Sequence, residues 1–540
     1  MVLVNLSSTW SWAESTVFSL DSGNEVVVNN ISRDGFRGLQ SLIDPETKNV
    51  VGHYMFYKSD HGLQVVFFDD NLQETNRVGL PSSSGSRVGV ACFNGASLAS
   101  VVYDSPGTFR VFSLSTDGII KAKESFSYSS QFSSIEMFPS VADDGFFLLS
   151  QISNGSVTGY QVLKLDGELH TVWDQKRFPE KGYLMADAAM SLDGQLVVVQ
   201  RESKEINMFG NDVVQPDLVC FDGASGDLLF NSPLFDKDYL AIPNQLLRDR
   251  DGNLVIAGEY YEGQRIKTSN SDGVFFKKLS ASGDVISYNR SSWKQGIQKQ
   301  LAKTKLKLTG KNKVYFHYLA QTDDGGYQVI AETFATSAGR KILSTGLALL
   351  GGDYEKIANN ANSLTYQAAL LSGRYLGEPT ENEAPVTISA QDFLILHFDQ
   401  EGQLEEVSKI EKEYTKIFVY HPYMYLGGLK LARMINEYGF MDFAFCLKQS
   451  ESDQVILVAN CAYASKKHLG IVSIRKGESQ TVRRIQISEI GVTDDGRKPS
   501  LVNAAPGANG TMVVYYLIKS DASGKEEMHM YKVDINEDKL

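Results

Sequence analysis

The chain has 540 residues, 42% hydrophobic and 11% aromatic, with 25 Tyr and 28 Phe against four Trp; this is ample for a packed core and excludes a disordered chain. Fifty-two basic against 65 acidic residues leave a net charge of −13, a field that repels phosphate backbones and argues against general nucleic-acid binding. The four cysteines (Cys92, Cys220, Cys446, Cys461) show no CxxC or Cys/His metal spacing and are too few for a disulfide scaffold, so buried thiols are expected.

In chain order, the opening segment 2–19 reads as a lone strand that pairs with the far end of the chain. From there two phrases alternate. One is a tight turn feeding an apolar strand: DDGFFLLS (143–150), LDGQLVVV (192–199), RDGNLVIAGE (250–259), DDGGYQVIAE (323–332) and, more loosely, ANGTMVVYY (508–516). Gly after Asp or Asn supplies the positive φ of a tight turn, and the apolar run suits a strand covered on both faces. The other is strand, small polar turn, strand: LQVVFFDDNLQETNRV (63–78), FRVFSLSTDGIIKA (109–122), YQVLKLDGELHTVW (160–173), LVCFDGASGDLLF (218–230), VFFKKLSASGDVISY (274–288), FLILHFDQEGQLEEV (393–407) and LGIVSIRKGESQTV (469–482). Joined, the phrases predict four-stranded units centred near residues 47, 94, 143, 193, 251, 324, 453 and 509. The fold class expected is all-β: a single closed β-propeller domain over 1–540, with about eight four-stranded blades (seven being the alternative). The 2–19 strand would close the ring and remove sheet edges.

The sequence DDGGYQVIAE followed by DFLILHFDQEGQLEEV resembles the repeat of bacterial extracytoplasmic propellers, in which a DGGY-apolar strand precedes a KLDxxG strand pair. The resemblance covers most of 142–407 and implies the fold and an envelope location, in the periplasm or at the cell surface after loss of a signal peptide. It implies no chemistry. The chain opens MVLVNLSSTW without a charged, apolar leader, which leaves a cytoplasmic location as the alternative. No apolar run reaches the ~20 residues of a transmembrane helix.

In an antiparallel meander the first–second and third–fourth strand turns lie at one end, and the remaining connections at the other. The long connections all belong to the second class: 201–217, 293–313, 335–391 and 409–438. Long ordered loops in a compact domain are usually functional, so a partner is expected on this crowned face. Segment 293–313 is a basic arm with seven lysines and no acid, including Lys299, Lys303, Lys305 and Lys307. Segment 335–391 carries helical spacing over 355–373. Segment 409–438 holds the aromatic run IFVYHPYMY with Tyr420, His421, Tyr423 and Tyr425. Aromatic faces with polar tips suit sugar or peptide contacts, and a lysine arm suits an anionic partner.

The recurring carboxylates Asp144, Asp193, Asp251 and Asp324 sit in turns, where they are expected to bond their own backbone. No metal, nucleotide or nucleophile-elbow motif is present, and no cofactor is expected. The function read from the residues is a non-enzymatic binding or scaffold propeller of the bacterial envelope that engages a protein or glycan. The alternative is a carbohydrate-active enzyme, a glycoside hydrolase or lyase, with its site in the axial funnel.

Overall fold

The computed structural model describes residues 26–535 except 32–35, 37, 84, 106–107, 128–134, 156, 193, 204–213, 266–270, 304–312, 339–385, 413, 420–435, 437–440, 449–453, 464–465, 477–480, 487–500 and 520–524. The described residues are almost wholly β. Seven antiparallel units of four strands follow one another at 39–79, 87–127, 135–177, 183–233, 239–292, 313–410 and 443–486, and an eighth at 501–534 has three strands with a fourth from the N-terminal region. They are referred to as sheets one to eight. A single parallel bridge, Thr158 to Tyr183, joins sheets three and four. The first and second strands of each unit are joined at the positions the sequence marks, near 47, 94, 143, 193, 251, 324, 453 and 509.

The strand sequences explain their placement. Second strands such as Leu254–Glu262 are buried over eight of their nine residues, as a strand covered on both faces must be. Fourth strands such as Leu228–Pro233 are mostly exposed, as an outer strand is. Each large apolar cluster is shared by two successive sheets. Phe56 and Phe67 of sheet one pack with Leu98 and Phe112 of sheet two, and Phe276 of sheet five packs with Tyr327 and Leu396 of sheet six. Sheet eight packs on sheet seven through Met512 and Val514. It packs on sheet one through Val513 and Met528, which meet Met55 and Val66.

Turns of successive sheets also touch at one end. The Asn94 amide donates to the Asp144 carbonyl, and Arg250 donates to Asp323 at 2.7 Å. The third–fourth strand turns reach back to the preceding sheet, and this fixes their glycines. At Gly402, φ is +81° and a Cβ would fall 2.0 Å from Cδ1 of Phe276, so neither the backbone nor the neighbour admits a side chain. Gly283 stands the same way against Phe230.

Sheet eight has three strands from the C-terminal region, and its fourth is Val26–Ile31, paired antiparallel with Glu526–Asp534. The strand from the N-terminal region therefore lies beyond the expected 2–19, and those residues fall outside the described ones. Sheet six departs most from the simple unit. Its second and third strands, Tyr327–Ala338 and Val386–Phe398, run on past the sheet, and Thr415–Val419 pairs along the near half of the latter. The result is a three-stranded extension at the end opposite the Asp-Gly turns. Residues 335–338, 386–391 and 415–419, expected within insertions, are strand.

Candidate functional site

The extension joins the body of sheet six at a register break between Glu332 and Phe334, and a cluster of buried charges occupies that joint. His317 is the extra residue of a bulge in the first strand, between Phe316 and Tyr318. Glu332 lies on the second strand, Asp392 on the third, and Lys409 at the end of the fourth. Lys412 and Thr415 start the connection to sheet seven, and Asp442 ends it. One chain excursion, 412–442, therefore begins and ends in the same cluster.

The Glu332 carboxylate is fully buried; its Oε2 lies 3.1 Å from Nε2 of His317 and its Oε1 3.0 Å from Nζ of Lys412. The Lys412 ammonium, 3% exposed, also contacts Oδ2 of Asp442, 6% exposed. The Thr415 hydroxyl lies 2.9 Å from both Asp442 oxygens. Lys409 pairs with Asp392 at 3.3 Å and with Glu411 at 2.8 Å. Aromatic rings wall the group: His317 stacks on Phe443 at 4.4 Å, and Nζ of Lys412 stands 5.4 Å from the centre of Phe393.

Burial works against every charge here. It raises the Asp442 carboxyl to about 6 against the pull of Lys412. Burial also pushes Glu332 upward, but Lys412 and His317 together hold it below the usual carboxylate range. Lys412, for its part, is held above its ordinary value by Glu332 and Asp442. Around Lys412 two carboxylates, Glu332 and Asp442, face one ammonium in a nearly dry site.

A second buried acid occupies the matching place in sheet five. Glu259 accepts from the Ser271 hydroxyl at 2.8 Å, and the Trp293 indole donates to that hydroxyl at 3.0 Å. Burial lifts the Glu259 carboxyl to about 7. In sheet four the place is taken by Arg201, paired with the bulge residue Asp187 at 2.8 Å. Reading the charges as turn carboxylates and loop lysines overlooks these groups. The signal was present: RDGNLVIAGE and DDGGYQVIAE both end an apolar strand on a glutamate, seven residues beyond the turn glycine.

Among the residues expected to bind a partner, Lys299 is exposed on the short helix Gln298–Lys303. That helix is anchored by Ile297 just before it and by Leu301 within it, both buried in the core shared by sheets five and six. Lys303 ends the helix. Lys305, Lys307, Tyr420, His421, Tyr423, Tyr425 and the helix expected over 355–373 lie outside the described residues, as does Asp193. Asp324 binds the Gly326 amide at 3.0 Å as expected, and hydrogen bonds from Thr322 and Lys476 hold its carboxyl down to about 2. In the turns at 143 and 251 the backbone is bound instead by Asp143 and Asp249, one and two positions before the expected Asp144 and Asp251. Asp249 also accepts from Lys278 and from the Tyr327 hydroxyl at 2.8 and 3.0 Å. Cys92, Cys220 and Cys446 are free thiols, and the register sets Cys446 opposite Leu457, not Cys461. Among the described residues no three His, Cys, Asp or Glu side chains are grouped to hold a metal. None of the described helices is long and apolar enough to cross a membrane.

Fold and site together define an all-β protein of successive four-stranded antiparallel sheets with a charged joint at the base of a three-stranded extension. The chain belongs to a family of unknown function, DUF6770, whose model matches residues 16–366. No curated protein matches it. Among solved structures it is similar to the polysaccharide lyase Uly1, at 9% identity and TM-score 0.40, over 86% of this chain and 93% of that one. It is also similar to a prolyl endopeptidase, at 8% identity and TM-score 0.39, over 92% of this chain and 55% of that one. A protein of unknown function from Bacteroides caccae matches at 11% identity and TM-score 0.24, over 47% of this chain and 93% of that one.

Proposed function

We propose that the chain is a closed eight-bladed β-propeller acting as a non-enzymatic binding or scaffold protein of the bacterial envelope. Its partner, a protein or a glycan, is engaged through the end that bears the extension. The ring reading is supported by sheet eight packing on both sheet seven and sheet one and by the N-terminal strand completing sheet eight. The observation that carries the binding reading is the joint itself. Glu332, Lys412 and Asp442, all 6% exposed or less, are committed to one another, so they fix the base of a projecting element and offer little to a substrate. Lys299, Lys303, Lys305 and Lys307 and the aromatic group Tyr420, His421, Tyr423 and Tyr425 would make the contacts.

The test is capture of envelope proteins and a panel of anionic and neutral glycans by the full chain, beside a Lys303→Glu, Lys305→Glu, Lys307→Glu variant. A specific partner, lost in the variant at unchanged melting temperature, is expected. Capture unaffected by the charge reversal would remove the arm from the site. The enzyme reading draws on the same cluster, since Glu332, Asp442 and His317 are acid–base groups. Cleavage of a polysaccharide by the parent and its loss in Glu332→Gln would establish that reading instead.

A further inference from the structure

We propose that Lys412 and Asp442 become joined by an intramolecular amide bond, with Glu332 as the group that moves the protons. Five observations converge on this pair. Nζ of Lys412 contacts the Asp442 carboxylate directly. Oε1 of Glu332 lies 3.0 Å from the same nitrogen. All three side chains are at most 6% exposed, so water competes poorly for the carboxyl carbon. The Thr415 hydroxyl lies 2.9 Å from Oδ1 and Oδ2 of Asp442, placed to donate to the oxygen that carries negative charge during attack. The Phe393 ring and the stacked His317 and Phe443 rings lower the local dielectric.

Burial disfavours both ions, so it works against the hold of Glu332 and Asp442 on the Lys412 ammonium and assists proton transfer to a carboxylate, giving amine and acid side by side. The amine lone pair then attacks Cγ of Asp442. The N–C bond forms, Oδ2 leaves as water, and of the three ammonium hydrogens one stays on the amide while two depart with that oxygen. Glu332 accepts a proton from the nitrogen, delivers it to the departing oxygen, and is unchanged at the end, its other oxygen held 3.1 Å from His317. The condensation requires no oxidant and no co-reactant. The product removes one positive and one negative charge from the core and ties sheet six covalently to the first residues of sheet seven, closing the 412–442 excursion at its base.

Intact-mass measurement of the purified full chain tests the bond. A mass one water below that of the sequence is expected, and proteolysis should release one branched peptide holding both Lys412 and Asp442. Glu332→Gln and Lys412→Arg should each restore the full mass while far-UV circular dichroism keeps its β signal. Should either variant fail to fold, the parent digest decides alone. Separate Lys412 and Asp442 peptides with the full mass would overturn the proposal. So would a one-water deficit that maps elsewhere, such as to an Asp-Gly turn.

Discussion

Replacing Gly402 by Ala isolates what holds one sheet against the next. The backbone there has φ +81°, a conformation that costs an L-residue about 1–2 kcal/mol. The added methyl would also lie 2.0 Å from Cδ1, 2.6 Å from Cε1 and 2.8 Å from Cγ of Phe276. Phe276 is fully buried and packed 4.8 Å from Tyr327 and 5.2 Å from Phe398 between ring centres. Its ring must therefore be displaced within a filled core, at about 1–3 kcal/mol. Gly402→Ala should thus destabilise by about 2–5 kcal/mol. Gly263 is the matched control: the same φ of +81° and no atom within 4 Å of the added carbon, so Gly263→Ala should cost only the backbone share, about 1–2 kcal/mol. Urea denaturation followed by tryptophan fluorescence measures both. Phe276→Ala by itself should cost about 3–5 kcal/mol, but added to Gly402→Ala it opens room for the methyl, so the pair should fall short of the sum. Equal losses for Gly402→Ala and Gly263→Ala, or strict additivity of the pair, would refute the close approach of this turn to the preceding sheet.

Glu259 gives a pH dependence. Its ordinary value of 4.5 rises to about 7 on folding, so between those values the folded chain keeps a proton that the unfolded chain releases. Stability from this group is therefore complete below about 4.5 and lost as pH rises through about 7; the urea midpoint of Glu259→Gln should vary less than the parent's across that window, and parallel profiles would contradict it. Tyr327→Phe removes the hydroxyl that donates to buried Asp249 at 3.0 Å and should cost about 1–3 kcal/mol, with no change meaning that Lys278, Asn253 and the Asp251 amide satisfy the carboxylate without it. Replacing 339–385, between the strands Tyr327–Ala338 and Val386–Phe398, by a short Gly-Ser bridge should leave the β signal of circular dichroism intact; wholesale unfolding would place that segment in the core.

The tight turns were legible in the sequence because a turn is a local device. Asp324 and Gly325 identify one another at adjacent positions, and the apolar run that follows reports a strand covered on both faces. The order of sheets follows from the spacing of such turns. The joint under the extension was not legible, since His317, Glu332, Lys412 and Asp442 are scattered along the chain and meet through strand pairing in sheet six and its connection to sheet seven. The bulge that frees His317 has no glycine to announce it. The continuation of Val386–Phe398 past its sheet was hidden too, because VTISAQD mixes small and polar residues and its strand partner, Thr415–Val419, follows the fourth strand. The N-terminal strand VVVNNI, at 26–31, is short and weakly patterned, and its pairing partner lies at the other terminus.

That last pairing sets the order of events during synthesis. Val26 stands opposite Met530, about 500 positions away along the chain, so this contact forms only after Met530 has been made. Until then seven sheets can pack in sequence from the ribosome outward, each covering the apolar face of the one before. Sheet one waits with the face that sheet eight later covers still bare. A truncation that removes Glu526–Asp534 should therefore leave a folded but sticky body, with Val26–Ile31 free to capture that strand from an added full-length molecule.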